Sequence, residues 1–95
     1  MTQLTTRTTA ALTQAIELAQ QELSNLNNVV NSGADVENTA RHLLAVQSEV
    51  YKLRDLHIYL GYLSGVRQVK LATIYSLSEG RVSQIITAMK NHLTP

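Results

Sequence analysis

The 95-residue chain has no cysteine, which removes disulfides, thiolate metal sites and a thiol nucleophile from consideration. It also lacks any apolar run approaching the ~20 residues needed to cross a bilayer. Its threonine-rich start has neither the charged head nor the apolar middle of a secretion signal, so a cytoplasmic location is expected. The three histidines, His42, His57 and His92, share no metal-ligand spacing, and no metal or cofactor is expected. No carboxylate pair stands beside a histidine, no glycine-rich phosphate loop is present, and no serine and histidine come with an orienting acid. An enzyme is therefore not expected.

Charge is scarce as well, with a formal balance of +1, but it is unevenly placed. Residues 66–95 hold four basic residues, Arg67, Lys70, Arg81 and Lys90, against one acidic residue, Glu79, a balance of +3. The first 65 residues hold four basic residues against six acidic ones, a balance of −2. This polarity suits a polyanion at one end of the molecule, although so small an excess alone also describes a solvated surface.

What the chain does have is helical periodicity. Threonines at positions 2, 5, 6, 8, 9 and 13 restrict rotamers and compete for backbone partners, so a frayed start is expected. From there Leu12, Ile16, Ala19, Leu23, Leu26 and Val30 follow in alternating steps of four and three, a heptad seam opposite a polar face. Gly33 suits the left-handed residue that closes a helix, and Asp35 can cap the next. A second helix is predicted from Val36 into the Gly61–Gly65 region, with an apolar line through Val36, Leu43, Val46, Val50, Leu53 and Leu60.

The short connection between two long amphipathic helices favours an antiparallel hairpin. Leu18, Leu44, Leu56, Tyr59 and Leu63 are left over, so residues 1–63 are read as a helical arm that pairs with a second copy. Its expected dimer contacts are Leu12, Ile16, Leu23, Leu26, Val46, Val50, Leu53 and Leu60. The alternative is a monomeric bundle whose terminal helices cover those residues. His57 lies on the same apolar line, as a pH-sensitive interface group or, more simply, a structural histidine. Tyr51, Tyr59 and Tyr62 are interface anchors or ordinary core.

The run GYLSGVR carries two glycines and a serine and marks a joint, with either a fresh helix start near Ser64 or a continuous helix with a bend. Residues 64–95 then show two short helices meeting at Ser76 and Leu77, with Leu71, Ala72 and Tyr75 inward before the bend and Val82, Ile85 and Met89 inward after it. Ser78 is placed to cap the second of them, Glu79 to complement its dipole, and Gly80 to leave room for a close neighbour. The fold class expected is all-α, a two-helix arm followed by a short helix-turn-helix.

The stretch LATIYSLSEGRVSQI resembles the helix-turn-helix of sigma-factor region 4 and of several plasmid and phage repressors, over about a quarter of the chain. The matching positions are Ala72, Leu77, Ser78 and the run Gly80, Arg81, Val82, Ser83, Gln84. Ser76 departs from the pattern, standing where glycine is often found, and Tyr75 is bulky there. The resemblance implies a recognition helix from Ser78 to about Lys90 in the major groove of double-stranded DNA, and with the pairing arm the expectation is a homodimeric DNA-binding regulator. Ser78, Glu79, Gly80, Ser83, Gln84 and Thr87 would face outward. Gln84 suits adenine, Arg81 guanine or phosphate, Glu79 cytosine, and Ser83 is permissive. Arg67, Lys70 and Lys90 would touch phosphates. The competing reading is a helical adaptor whose apolar arm and bent helix pair contact a partner protein.

Overall fold

A computed structural model describes residues 2–94. They form four helices: α1 (Thr2–Asn31), α2 (Val36–Leu63), α3 (Gln68–Tyr75) and α4 (Glu79–Leu93). Among the described residues there is no strand, so the all-α expectation holds. No helix among them is long and apolar enough to cross a membrane.

The chain reverses at residues 32–35, and α1 packs along α2. Gly33 sits at φ +75°, its amide donating to the Val30 carbonyl at 3.1 Å and that of Ala34 to Val29 at 3.2 Å. These two bonds are a Schellman closure, which needs a left-handed residue and therefore favours glycine. Asp35 then accepts from the Asn38 amide at 2.8 Å and starts α2.

The line of contact between α1 and α2 differs from the predicted seam. Thr8, Ala15 and Ala19 are buried, whereas Ile16, Leu23 and Val30 are 43%, 53% and 55% exposed. Interhelical distance depends on the side chains at the contact, and two alanines let the helices approach closely. The larger residues then fall to one side of the contact line, with Leu12 and Leu26 half-buried between. On α2, Val46, Leu53 and Leu60 are likewise half-buried, and Leu43 and Val50 are exposed.

The threonine-rich start is helical from Thr2 rather than frayed. Thr8 is fully buried, and its hydroxyl donates to the Leu4 carbonyl at 2.7 Å, so its polar atom is satisfied inside the helix. Leu4 packs against the main core, which gathers Ile58, Tyr59, Leu71, Ala72, Val82, Ile85 and Ile86. This core lies between the last turns of α2 and the α3–α4 segment. Tyr59 is 1% exposed, Leu56 is buried and Leu63 packs on the core, so three of the five leftover residues are covered within the chain. Leu18 and Leu44 stay exposed.

The joint falls at Gly65, not at Gly61. Gly65 adopts φ +95° and closes α2 with the same pair of backbone bonds, Gly65 to Tyr62 and Val66 to Gly61, both at 3.0 Å. Ser64 ends α2 and caps no new helix, since α3 begins after Arg67, whose side chain makes no cap bond. Gly61 stays helical and admits α3, because a Cβ there would lie 3.0 Å from the Leu71 Cδ2.

Candidate nucleic-acid interface

The surface of interest is built by a bend that fixes α4 over the core. α3 ends at Ser76, a left-handed residue at φ 55°, ψ 41°. The Ser76 amide donates to the Thr73 carbonyl at 3.3 Å and the Leu77 amide to that of Ala72 at 2.9 Å, the pattern seen at Gly33 and Gly65. Leu77 packs against the core, as the residue after such a closure commonly does. Ser78 then accepts the Arg81 amide at 3.0 Å and starts α4, as its position in the sequence led us to expect.

The inner face of α4 is Val82, Ile85 and Ile86, all buried, with Met89 and Leu93 half-buried beside them. Ile86 was not among the expected inward positions; it takes the place because α4 is covered on a broad front by α2 and α3. Leu71, Ala72 and Tyr75 face inward as expected, Tyr75 only in part.

Every outward residue expected from the sequence is exposed: Ser78, Glu79, Gly80, Arg81, Ser83, Gln84, Thr87 and Lys90 on or before α4, and Arg67 and Lys70 at the start of α3. They do not form one cluster. Gly80, Gln84, Thr87 and Asn91 follow at steps of four, three and four, which makes a single uncharged polar stripe down the exposed face. Arg81 borders this stripe on one edge, and Ser83 and Lys90 on the other. Asn91 was missed in the sequence, though its spacing from Gln84 and Thr87 would have found it. Glu79 lies apart, in a depression with Gly65, Arg67, Gln68 and Val69 between the starts of α3 and α4. No neighbour approaches a Cβ at Gly80, so the close packing expected there is absent.

The guanidinium of Arg81 donates to the Gln84 side-chain oxygen at 3.4 Å. The two side chains thus meet on the exposed face, and the Gln84 amide nitrogen takes no part in that bond. Behind the bend, the Tyr75 hydroxyl meets the Nδ1 of His57, and the rings stand edge-on at 5.9 Å. His57 itself is exposed and links α2 to the end of α3 rather than lying inside an apolar line. Burial raises the Tyr75 hydroxyl above its ordinary pKa, with the nearby Arg54 charge pulling the other way.

Among the described residues no group of three histidine, aspartate or glutamate side chains can hold a metal ion. No family model matches the chain, and comparison with curated proteins and with solved structures returns no match.

Proposed function

We propose that the chain is a sequence-specific DNA-binding regulator of transcription that acts as a homodimer. In this reading α1 and α2 are an antiparallel hairpin arm, α3 and α4 are a helix-turn-helix, and α4 enters the major groove. The observation that carries the reading is the exposed stripe of Gly80, Gln84, Thr87 and Asn91 on a helix whose other face is buried to the last atom at Val82. An uncharged, hydrogen-bonding stripe between basic edges is what base-edge contact requires, since phosphates need charge and bases need matched donors and acceptors.

In that pose Gln84 pairs with adenine, Arg81 takes guanine or a phosphate, and Ser83 and Thr87 adapt to either base type. Arg67, Lys70 and Lys90 sit at the margins and set the register on phosphates. Glu79 is set back from the stripe, in the depression that Arg67 also lines, which disfavours acceptance from cytosine. The net basic excess is small, so one copy neutralises few phosphates and two copies on one duplex supply what one lacks. The expected site is an inverted repeat with half-sites ~34 Å apart, or a multiple of that turn.

The test is an anisotropy titration of the full chain against duplexes selected from a random pool, at two salt concentrations. Wild type should bind its selected site with a shallow salt dependence, and Arg81→Ala combined with Gln84→Ala should lose sequence preference. Undiminished binding by the double variant overturns the placement of α4. A chain that binds no duplex at physiological salt but holds a partner protein returns the adaptor reading.

A further inference from the structure

We infer that the flank of the α1–α2 pair facing away from α4 is the surface on which a second copy of this chain sits, an inference that rests on the homodimer reading and assigns its interface. The flank consists of Ile16, Leu23 and Val30 from α1 with Leu43 and Val50 from α2. The latter two are 56% and 49% exposed. Both sets repeat every seven residues, so each forms one stripe along its helix.

Their direction follows from helix geometry. Leu18 and Lys52 line a groove of about 520 Å3 with Ala88, Met89 and His92, which places them on the α4 side. Ile16 and Val50 each lie two residues away from these, about 200° around the helix, and so face the opposite side. Because α1 and α2 run past each other, Leu23 stands level with Leu43 and Ile16 with Val50. The two stripes form a single apolar face in layers.

Charge on that face is confined to one paired group. Glu17, Glu22, Glu37, Arg41, Glu49 and Lys52 all fall on other sides of the two helices, and the polar neighbours of the flank are Gln20, Asn27 and Gln47. Arg54, four residues after Val50, lies on the same side towards the end of α2, where its guanidinium pairs with the Asp55 carboxylate at 3.0 Å and rests over the Tyr51 ring. A two-fold contact sets the same patch against itself, and a patch whose single charge is already paired opposes that contact little.

The size fits as well. The chain exposes 6380 Å2, whereas a compact monomer of 10.5 kDa exposes only about 5,400 Å2. Its radius of gyration is 15.7 Å against about 12 Å for a compact domain of this length. The excess surface, roughly 1,000 Å2, matches the ~800 Å2 that each partner loses in a stable complex. Covering the flank joins two helix pairs into a four-helix bundle with Leu12, Leu26, Val46 and Leu53 completing its core. α3 and α4 remain outside it.

Sedimentation equilibrium of the full chain at micromolar concentration tests this. Wild type is expected to be a dimer, and Leu23→Glu with Leu43→Glu a monomer of unchanged helix content by circular dichroism. Leu18→Glu with Leu44→Glu, at exposed leucines off the flank, should stay dimeric. Should the glutamate pair unfold the chain, Leu23→Gln with Leu43→Gln should weaken dimerisation by roughly 100-fold. A wild-type chain that is monomeric at ~100 μM overturns the inference, as does a flank variant that dimerises like wild type. The assay contains no DNA, so its failure is separable from failure of the DNA reading: a chain that dimerises through the flank but ignores every duplex removes the latter alone.

Discussion

The Arg7 guanidinium donates to the Leu93 carbonyl at 2.9 Å, joining the first turns of α1 to the last turn of α4. Leu4 and Leu93 pack against the same core, so the start of the chain is part of the support for α4. Arg7→Ala should therefore lower stability by about 1 kcal/mol, the contribution of one such hydrogen bond. In a domain of this size that corresponds to a fall in Tm of roughly 4–8 °C. Thermal unfolding followed by circular dichroism checks it, and an unchanged Tm would show that the bond contributes nothing.

That tie was not readable in the sequence, and the reason separates local from tertiary information. Asp35 and Ser78 were recognisable as caps, and Gly33 as a closing residue, because their chemistry is settled within four residues. The inward faces of α3 and α4 followed from spacing for the same reason. Which line of α1 meets α2 depends instead on how close the helices come, and Ala15 and Ala19 decide that over the bulkier Ile16 and Leu23. Tyr59 stays open in the sequence between interface anchor and ordinary core, because nothing near it announces that α3 and α4 wrap the end of α2. Of the candidate interface, the exposed residues were legible and their grouping was not: Asn91 joins the polar stripe and Glu79 leaves it.

The approach of α3 to α2 at Gly61 gives a second prediction. A Cβ would stand 3.0 Å from Leu71 Cδ2, and Leu71 is buried with little room to yield. Gly61→Ala gains about 1 kcal/mol of helix propensity, which offsets the crowding and leaves stability little changed. Gly61→Val adds bulk without that compensation and should destabilise by about 1–3 kcal/mol. Urea denaturation of Gly61→Val, Leu71→Ala and the combined variant should show non-additivity, with the smaller side chain at 71 relieving the larger one at 61. Additive effects would mean the two positions do not meet.

Ser76 gives a third. Three helix ends share one closure, and two of them use glycine while Ser76 takes the left-handed conformation with a side chain. That conformation costs an L-residue about 1–2 kcal/mol, of which glycine's extra unfolded-state entropy takes back about 0.5–1. Ser76→Gly should thus stabilise the chain by about 0.5–1 kcal/mol while keeping both bonds. Ser78→Ala, two residues on, should destabilise by about 1 kcal/mol through loss of the cap on the Arg81 amide. Opposite shifts in the urea midpoint for these two variants are the expected result, and a destabilised Ser76→Gly would show that the serine side chain contributes more than its strain.

Alkaline pH supplies the last prediction, through Tyr59 and Tyr75. Burial raises the Tyr59 hydroxyl above its ordinary value of 10.0, and the neighbouring Tyr62 pushes in the same direction. Tyr75 is raised by its own burial. A raised pKa means that the folded chain holds the proton more tightly than the unfolded chain does. Below pH ~10 both states are protonated and these groups give stability no pH dependence. Above that pH the unfolded tyrosines ionise first, the unfolded state binds fewer protons, and stability falls as pH rises towards the folded values. To isolate this one hydroxyl, the comparison is between wild type and Tyr59→Phe: the wild-type urea midpoint should drop more steeply between pH ~9 and ~11. Parallel curves would mean that the Tyr59 hydroxyl is no harder to ionise in the folded chain than in the unfolded one.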